Sequence, residues 1–266
     1  MIKKIYKTSD FINANRLDVI AKYLYVKSYA ENDNLEYATG LYKNTVLVTT
    51  KGAVIEPGSF EKKHNMSGYI REFNSLIDSI SRNGFDSSKD MGSCGAHRAA
   101  CLLYFGQEEF EGNEKVFESY ADCDELKFDA AFFQNNLFKK EYLISIIIRY
   151  ILLFPGEVYL QKENGCLFIT ADNQNIITAD INAKTEALLM EMFPELAEGN
   201  PYRLKTDCND ADKVERLLNA ADIIRNKNRL LLRIKYMTRR IAILVIHYMG
   251  AIKPLRRLYP SFKYYS

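Results

Sequence analysis

Gly95-Ala96-His97-Arg98 puts a residue without a side chain, an imidazole and a guanidinium at nearly consecutive positions, at the expected start of a helix. A helix start leaves backbone N–H groups without intrahelical acceptors and carries partial positive charge. Phosphate docks readily at such a place. Gly95 lets the backbone approach a ligand closely. Arg98 offers a charge-assisted, bidentate donor, and His97 can donate while neutral or charged near neutral pH. Ser93, two residues before Gly95, can add a hydroxyl. The plainer reading of the same residues is an ordinary buried helix start, with Arg98 paired to a carboxylate.

The remaining chemistry-bearing side chains are scattered. His64 and His247 are isolated in the sequence, so a His-based metal centre is not expected. The five cysteines form no CxxC pair, and neither a zinc site nor a disulfide framework is expected. Cys101 falls in an apolar helical stretch and reads as core. Asp207, Asp210 and Asp212 gather where a helix is expected to begin, which accounts for them without a metal.

The elements that must hold these residues can be read from periodicity. Leu17, Ile20, Ala21 and Leu24 predict a helix over residues 17–29. Val46-Leu47-Val48 predicts a short strand over 44–50, turned by Lys51-Gly52. Ile70, Phe73, Ile77 and Ile80 predict a helix capped by Ser67 and closed at Asn83-Gly84. Phe85 to Cys94 reads as loop. The helix opening near His97 runs to Phe105 and stops at Gly106; it is apolar nearly all round, hence buried. Residues 142–154 form a second apolar helix, too short to cross a bilayer. A hairpin follows at 157–161 and 166–170, turned at Asn164-Gly165. A third strand is expected at 176–181, then a helix from Asn209 or Asp210 through Val214, Leu217, Leu218, Ala221 and Ile224. This order predicts an α+β fold. Three regions are expected: a phosphate-binding domain over 1–155, a small α/β extension over 156–222, and a basic helical tail over 223–266.

The 266 residues carry 36 basic and 34 acidic side chains, and hydrophobic residues make up 47%. Such a chain can bury a sizeable core. The start of the chain shows no apolar run of the secretory kind, so a cytoplasmic location is expected. The near-neutral total conceals a split. From Ile223 onward there are eleven basic residues and no acidic ones. The rest keeps 36 − 11 = 25 basic against 34 acidic residues, a net −9.

Within the basic segment, Leu230, Ile234, Met237, Ile241, Leu244 and Tyr248 fall on one helical stripe. Arg229, Arg233 and Arg240 border it on one side, Lys235 and Arg239 on the other. That is the pattern of a helix lying in a membrane interface. Packing of the stripe on the acidic body or on a second copy fits it too. The width of the apolar stripe disfavours nucleic acid, although basic residues interleaved with Tyr can track a single strand.

Gly95-Ala96-His97-Arg98-Ala99-Ala100, followed by Leu102-Leu103-Tyr104-Phe105-Gly106, resembles the signature of the ParB/sulfiredoxin superfamily, in which a Gly-x-[His/Arg]-Arg segment opens a helix and binds nucleotide phosphates. A looser likeness runs from Arg16 to about Tyr150. It is to members associated with bacterial cell-surface polysaccharide gene clusters. The resemblance implies a ParB/sulfiredoxin-like core and a nucleotide ligand, ATP or another, with Mg²⁺. It implies phosphotransferase or ATPase activity, on a sugar or lipid-linked sugar at the inner face of the membrane. On this reading Ser93, Gly95, Ala96, His97 and Arg98 hold phosphate. Glu56 is the base by position, with Asp86 the second candidate and Asp18 the third.

The chain departs from the family in three ways. Sulfiredoxins carry a reactive Cys immediately before the His-Arg pair, where this chain has Ala96. The partition proteins' Glu-Arg-Arg and long basic helix-turn-helix region are missing. The segment 86–93 is poor in strand formers, where a strand usually precedes the motif. Two alternatives therefore stand beside the enzyme: a non-catalytic nucleotide- or phosphate-binding module, and a ParB-like DNA-binding protein, against which the acidic body argues.

Overall fold

The computed structural model describes residues 3–11, 13–55, 65–86, 95–113, 127–153, 157–171, 174–197, 202–206, 210–223 and 229–249. The fold is α+β, with helices predominating and two separate antiparallel sheets. The chain forms two compact units. The first takes residues 1–127 together with 228–266, and the second takes the uninterrupted stretch 128–227.

In the first unit, strand β1 (Lys3–Lys7) pairs antiparallel with β2 (Glu109–Asn113), and neither was expected. Helix α1 (Leu17–Glu31) lies where its periodicity placed it. It ends on Asn32, which has φ 52°, and Asn34 at φ 50° leads into α2 (Leu35–Thr49). Asn tolerates the left-handed region better than most residues, which lets Asn32-Asp33-Asn34 join two helices in three residues.

The strand expected over 44–50 is instead the last part of α2. Ala38, Leu41, Tyr42, Thr45, Val46 and Val48 are all buried, and the first five repeat at helical rather than alternating spacing. Tertiary burial outweighs the β preference of the Val-Leu-Val triplet, which is worth only tenths of a kcal/mol, roughly, per residue.

Helix α3 (Met66–Asn83) is capped by Asn65, not by Ser67: the Asn65 Oδ1 accepts from the Gly68 N–H at 2.8 Å. Gly84, at φ 72°, closes it as expected. Helix α4 (Ala96–Tyr104) packs along α1, with Ala99, Ala100, Cys101 and Leu102 buried. Of the expected loop 85–94, residues 87–94 lie outside the described residues.

In the second unit, β3 (Val158–Glu163) and β4 (Cys166–Ala171) form the expected hairpin. Asn164 (φ 48°) and Gly165 (φ 75°) make its turn, the positive-φ pair that a tight hairpin requires. β5 (Gln174–Asp180), β6 (Tyr202–Thr206) and β7 (Asp222–Ile223) complete a sheet of order β6-β3-β4-β5-β7. Leu160, Leu167, Ile169, Ile177 and Ala179 are buried in it. Short helix α5 (Ala130–Asn135) contacts β5. The apolar helix α6 (Lys140–Leu153) packs on α8 (Ala211–Ala220), which also meets α7 (Ala183–Met192). Helix α8 stops one residue before Ala221. That residue is extended and leads into β7 rather than continuing the helix; Ile224 lies outside the described residues.

The basic tail forms α9 (Arg229–Tyr248), which belongs to the first unit. Its Tyr236 hydroxyl donates to the Leu47 carbonyl at 2.9 Å. The Tyr236 ring lies so close to Gly52 that a Cβ there would stand 2.8 Å from it, and Gly52 itself has φ 79°. Both conditions favour glycine at this contact.

Candidate functional site

Gly95 has φ 46°, the left-handed conformation, and directly precedes α4. The first intrahelical bond runs from the Ala99 N–H to the Gly95 carbonyl at 2.8 Å. The Ala96, His97 and Arg98 amides therefore lie in the first turn, ahead of the helical ladder. Ala96 is buried, while Gly95, His97 and Arg98 are half-buried.

Sequence reasoning did not anticipate the surroundings of His97. Its ring meets Phe73 of α3 edge to face at 4.6 Å between centroids and Tyr42 of α2 in the same manner at 5.8 Å. The Tyr42 hydroxyl and His97 Nε2 share a hydrogen bond at 2.9 Å. Tyr42 and Phe73 in turn pack on Tyr25 of α1, with centroids at 4.8 and 5.3 Å. The Tyr25 hydroxyl donates to Asn74 Oδ1 at 2.8 Å. His97 is thus tied through its ring to α2 and α3, and through Tyr42 and Phe73 to α1, and this packing fixes how the first turn of α4 is presented. The signal was present in the sequence only as three aromatics on separate helical faces, with nothing to say that they meet.

Cys101 faces the core on the same helix. Burial pushes its thiol up to about 12, against the smaller opposing effect of the Arg98 charge. A thiol held protonated in this way is a poor nucleophile.

Of the carboxylates considered as bases, Asp18 and Asp86 lie among the described residues. Asp86 is exposed, three residues past the end of α3. Glu56 and Ser93 lie outside the described residues. Asp18 is fully buried in α1 between two cations: Arg16 Nε donates to Oδ1 and Lys22 Nζ to Oδ2, each at 2.9 Å. Burial alone would raise its pKa, but Arg16 and Lys22 together more than offset this and hold it below the usual aspartate value. With both oxygens engaged, Asp18 holds α1 rather than serving as a base. Asp210 stands just before α8 and pairs with Lys213 at 3.1 Å, while Asp207 and His64 lie outside the described residues. Among the described residues, no group of three or more His, Cys, Asp or Glu side chains could hold a metal ion.

On α9, Arg233, Lys235 and Arg240 are exposed and Arg239 is half-buried; the helix also carries Arg229 at its first position. No helix among the described residues is long and apolar enough to cross a membrane. No protein-family model, curated protein or solved structure matches the chain.

Proposed function

We propose that the start of α4 binds the phosphates of a nucleotide, and that the chain is a phosphotransferase or ATPase of ParB/sulfiredoxin-like type. The observation that carries this reading is the left-handed Gly95 feeding a firmly packed helix whose first turn bears Arg98. Phosphate would accept from the Ala96, His97 and Arg98 amides and from the Arg98 guanidinium. The aromatic contacts of His97 would keep that turn fixed before and after binding. Glu56 is the proposed base, with Asp86 the second candidate. ATP would supply the phosphoryl group, with Mg²⁺ carried on its phosphates. The acceptor proposed from the resemblance is a sugar or lipid-linked sugar used in cell-surface polysaccharide synthesis at the inner membrane face.

Titration calorimetry with ATP, CTP and ADP, with and without Mg²⁺, tests the pocket. Arg98→Ala should weaken nucleotide affinity by about 10- to 100-fold, the loss of a hydrogen bond to a charged group. Unchanged affinity would remove the site.

A second reading, a nucleotide-binding module without turnover, draws support from Asp18, since one of the three carboxylates considered as bases has both oxygens occupied. Phosphate release separates the two. The enzyme reading expects Glu56→Ala to abolish release while nucleotide still binds. Release that persists in that variant rules out Glu56 as the base. A wild type that binds nucleotide without releasing phosphate leaves the module.

A further inference from the structure

Helix α9 has two different apolar faces. Leu232, Tyr236, Ile243 and Ile246 are half-buried, and Tyr236 is seated on Gly52 and the Leu47 carbonyl. This face holds the helix on the first unit. The other face carries Leu230, Ile234, Met237, Ile241, Val245 and Tyr248, which are between 48% and 81% exposed. Six large apolar groups at spacings of four, three, four, four and three residues line one side of a 20-residue helix. A helix of that length extends about 30 Å. A continuous exposed apolar stripe of this kind marks an interaction surface.

Charge decides what fits it. Arg233 and Arg240 are exposed along one flank of the stripe, Lys235 is exposed on the other side of the helix, and α9 contains no acidic residue. Lys51, buried just beyond the end of α2, adds a further cation beside Lys235 and Arg239. Burial and those two neighbours lower its ammonium to about 8. A second copy docking by the same face would set three exposed basic side chains, Arg233, Lys235 and Arg240, against three more. An acidic surface would relieve the repulsion already present.

We propose that α9 docks this stripe into an anionic lipid surface, with its apolar residues at the headgroup–acyl boundary and its flanking Arg and Lys on lipid phosphates. Such a helix lies in the plane of the interface and does not span it. The proposal stands apart from the phosphate site at α4 and survives or fails without it.

Flotation of the full chain tests it, using vesicles of phosphatidylcholine alone and vesicles in which a quarter of the lipid is phosphatidylglycerol. Binding to the anionic vesicles should exceed binding to the neutral ones by about tenfold or more, and should fall as salt is raised. Ile234→Asp with Ile241→Asp should abolish it. Arg233→Gln with Arg240→Gln should reduce it several-fold while leaving the apolar stripe intact. Both pairs are on exposed positions, so thermal melting should match the wild type. Several results would overturn the proposal. They are equal flotation with both vesicle types, flotation with neither, and undiminished flotation of the Asp pair. A wild-type dimer that the Asp pair converts to monomer would do so too, as would binding to a single-stranded RNA oligonucleotide in preference to anionic vesicles.

Discussion

Asp18→Ala should destabilise the first unit by about 3–5 kcal/mol at neutral pH, enough to unfold a domain of ordinary stability. The carboxylate is the shared counter-charge of Arg16 and Lys22, all three in a buried setting. Its removal leaves two cations away from water without the group that balanced them. The pH dependence has a definite sign. Asp18 has a lowered pKa in the fold, so its contribution is fully present above its unfolded value and is lost as pH falls through the folded one. The stability gap between wild type and variant should therefore be widest at neutral pH and narrow in acid. Urea unfolding at both conditions measures it, and a gap that stays constant contradicts the triad. A triple replacement, Arg16→Met with Asp18→Leu and Lys22→Met, should lie close to the wild type or above it, because an apolar trio of similar volume avoids the desolvation cost entirely.

The second large effect is expected at Phe73, which touches the rings of Tyr25, Tyr42 and His97. Phe73→Ala should cost about 3–5 kcal/mol through the cavity it leaves. It should also free the His97 ring, visible as a displaced and broadened imidazole signal in NMR spectra. Tyr42→Phe makes the contrast. It deletes only the hydroxyl at His97 Nε2 and should cost about 1 kcal/mol, with the ring packing kept. If Phe73→Ala fell no lower than Tyr42→Phe, the three-helix support for α4 would be wrong.

These two sites show what was readable in the sequence. The Asp18–Lys22 contact follows from helical spacing alone, since residues four apart share a face. The presence of α1, α3 and α4, the close of α3 at Gly84 and the Asn164-Gly165 turn were legible because local residue chemistry determines them, whereas the cap of α3 is Asn65 instead of the expected Ser67. The β1–β2 pair was not: half of the residues in Lys3–Lys7 and Glu109–Asn113 are charged, and their pairing joins segments a hundred residues apart, roughly, at a cost no local pattern reports. The strand wrongly expected at Val46-Leu47-Val48 failed for the opposite reason, because a strong local preference yielded to burial against α1 and its neighbours. At the candidate site, the order Gly-Ala-His-Arg identified a helix start. The partners Tyr42 and Phe73 lie on other helices, and only packing brings them to His97.

The division of the chain into an interrupted unit and a continuous one has a consequence for biosynthesis. A ribosome delivers residues 1–127 first, then the whole of 128–227, and only afterwards α9. The continuous unit can complete its sheet while the earlier one still lacks its last helix. Until Tyr236 emerges, the Gly52 surface stays uncovered, so α9 is added to a unit whose other elements are already made.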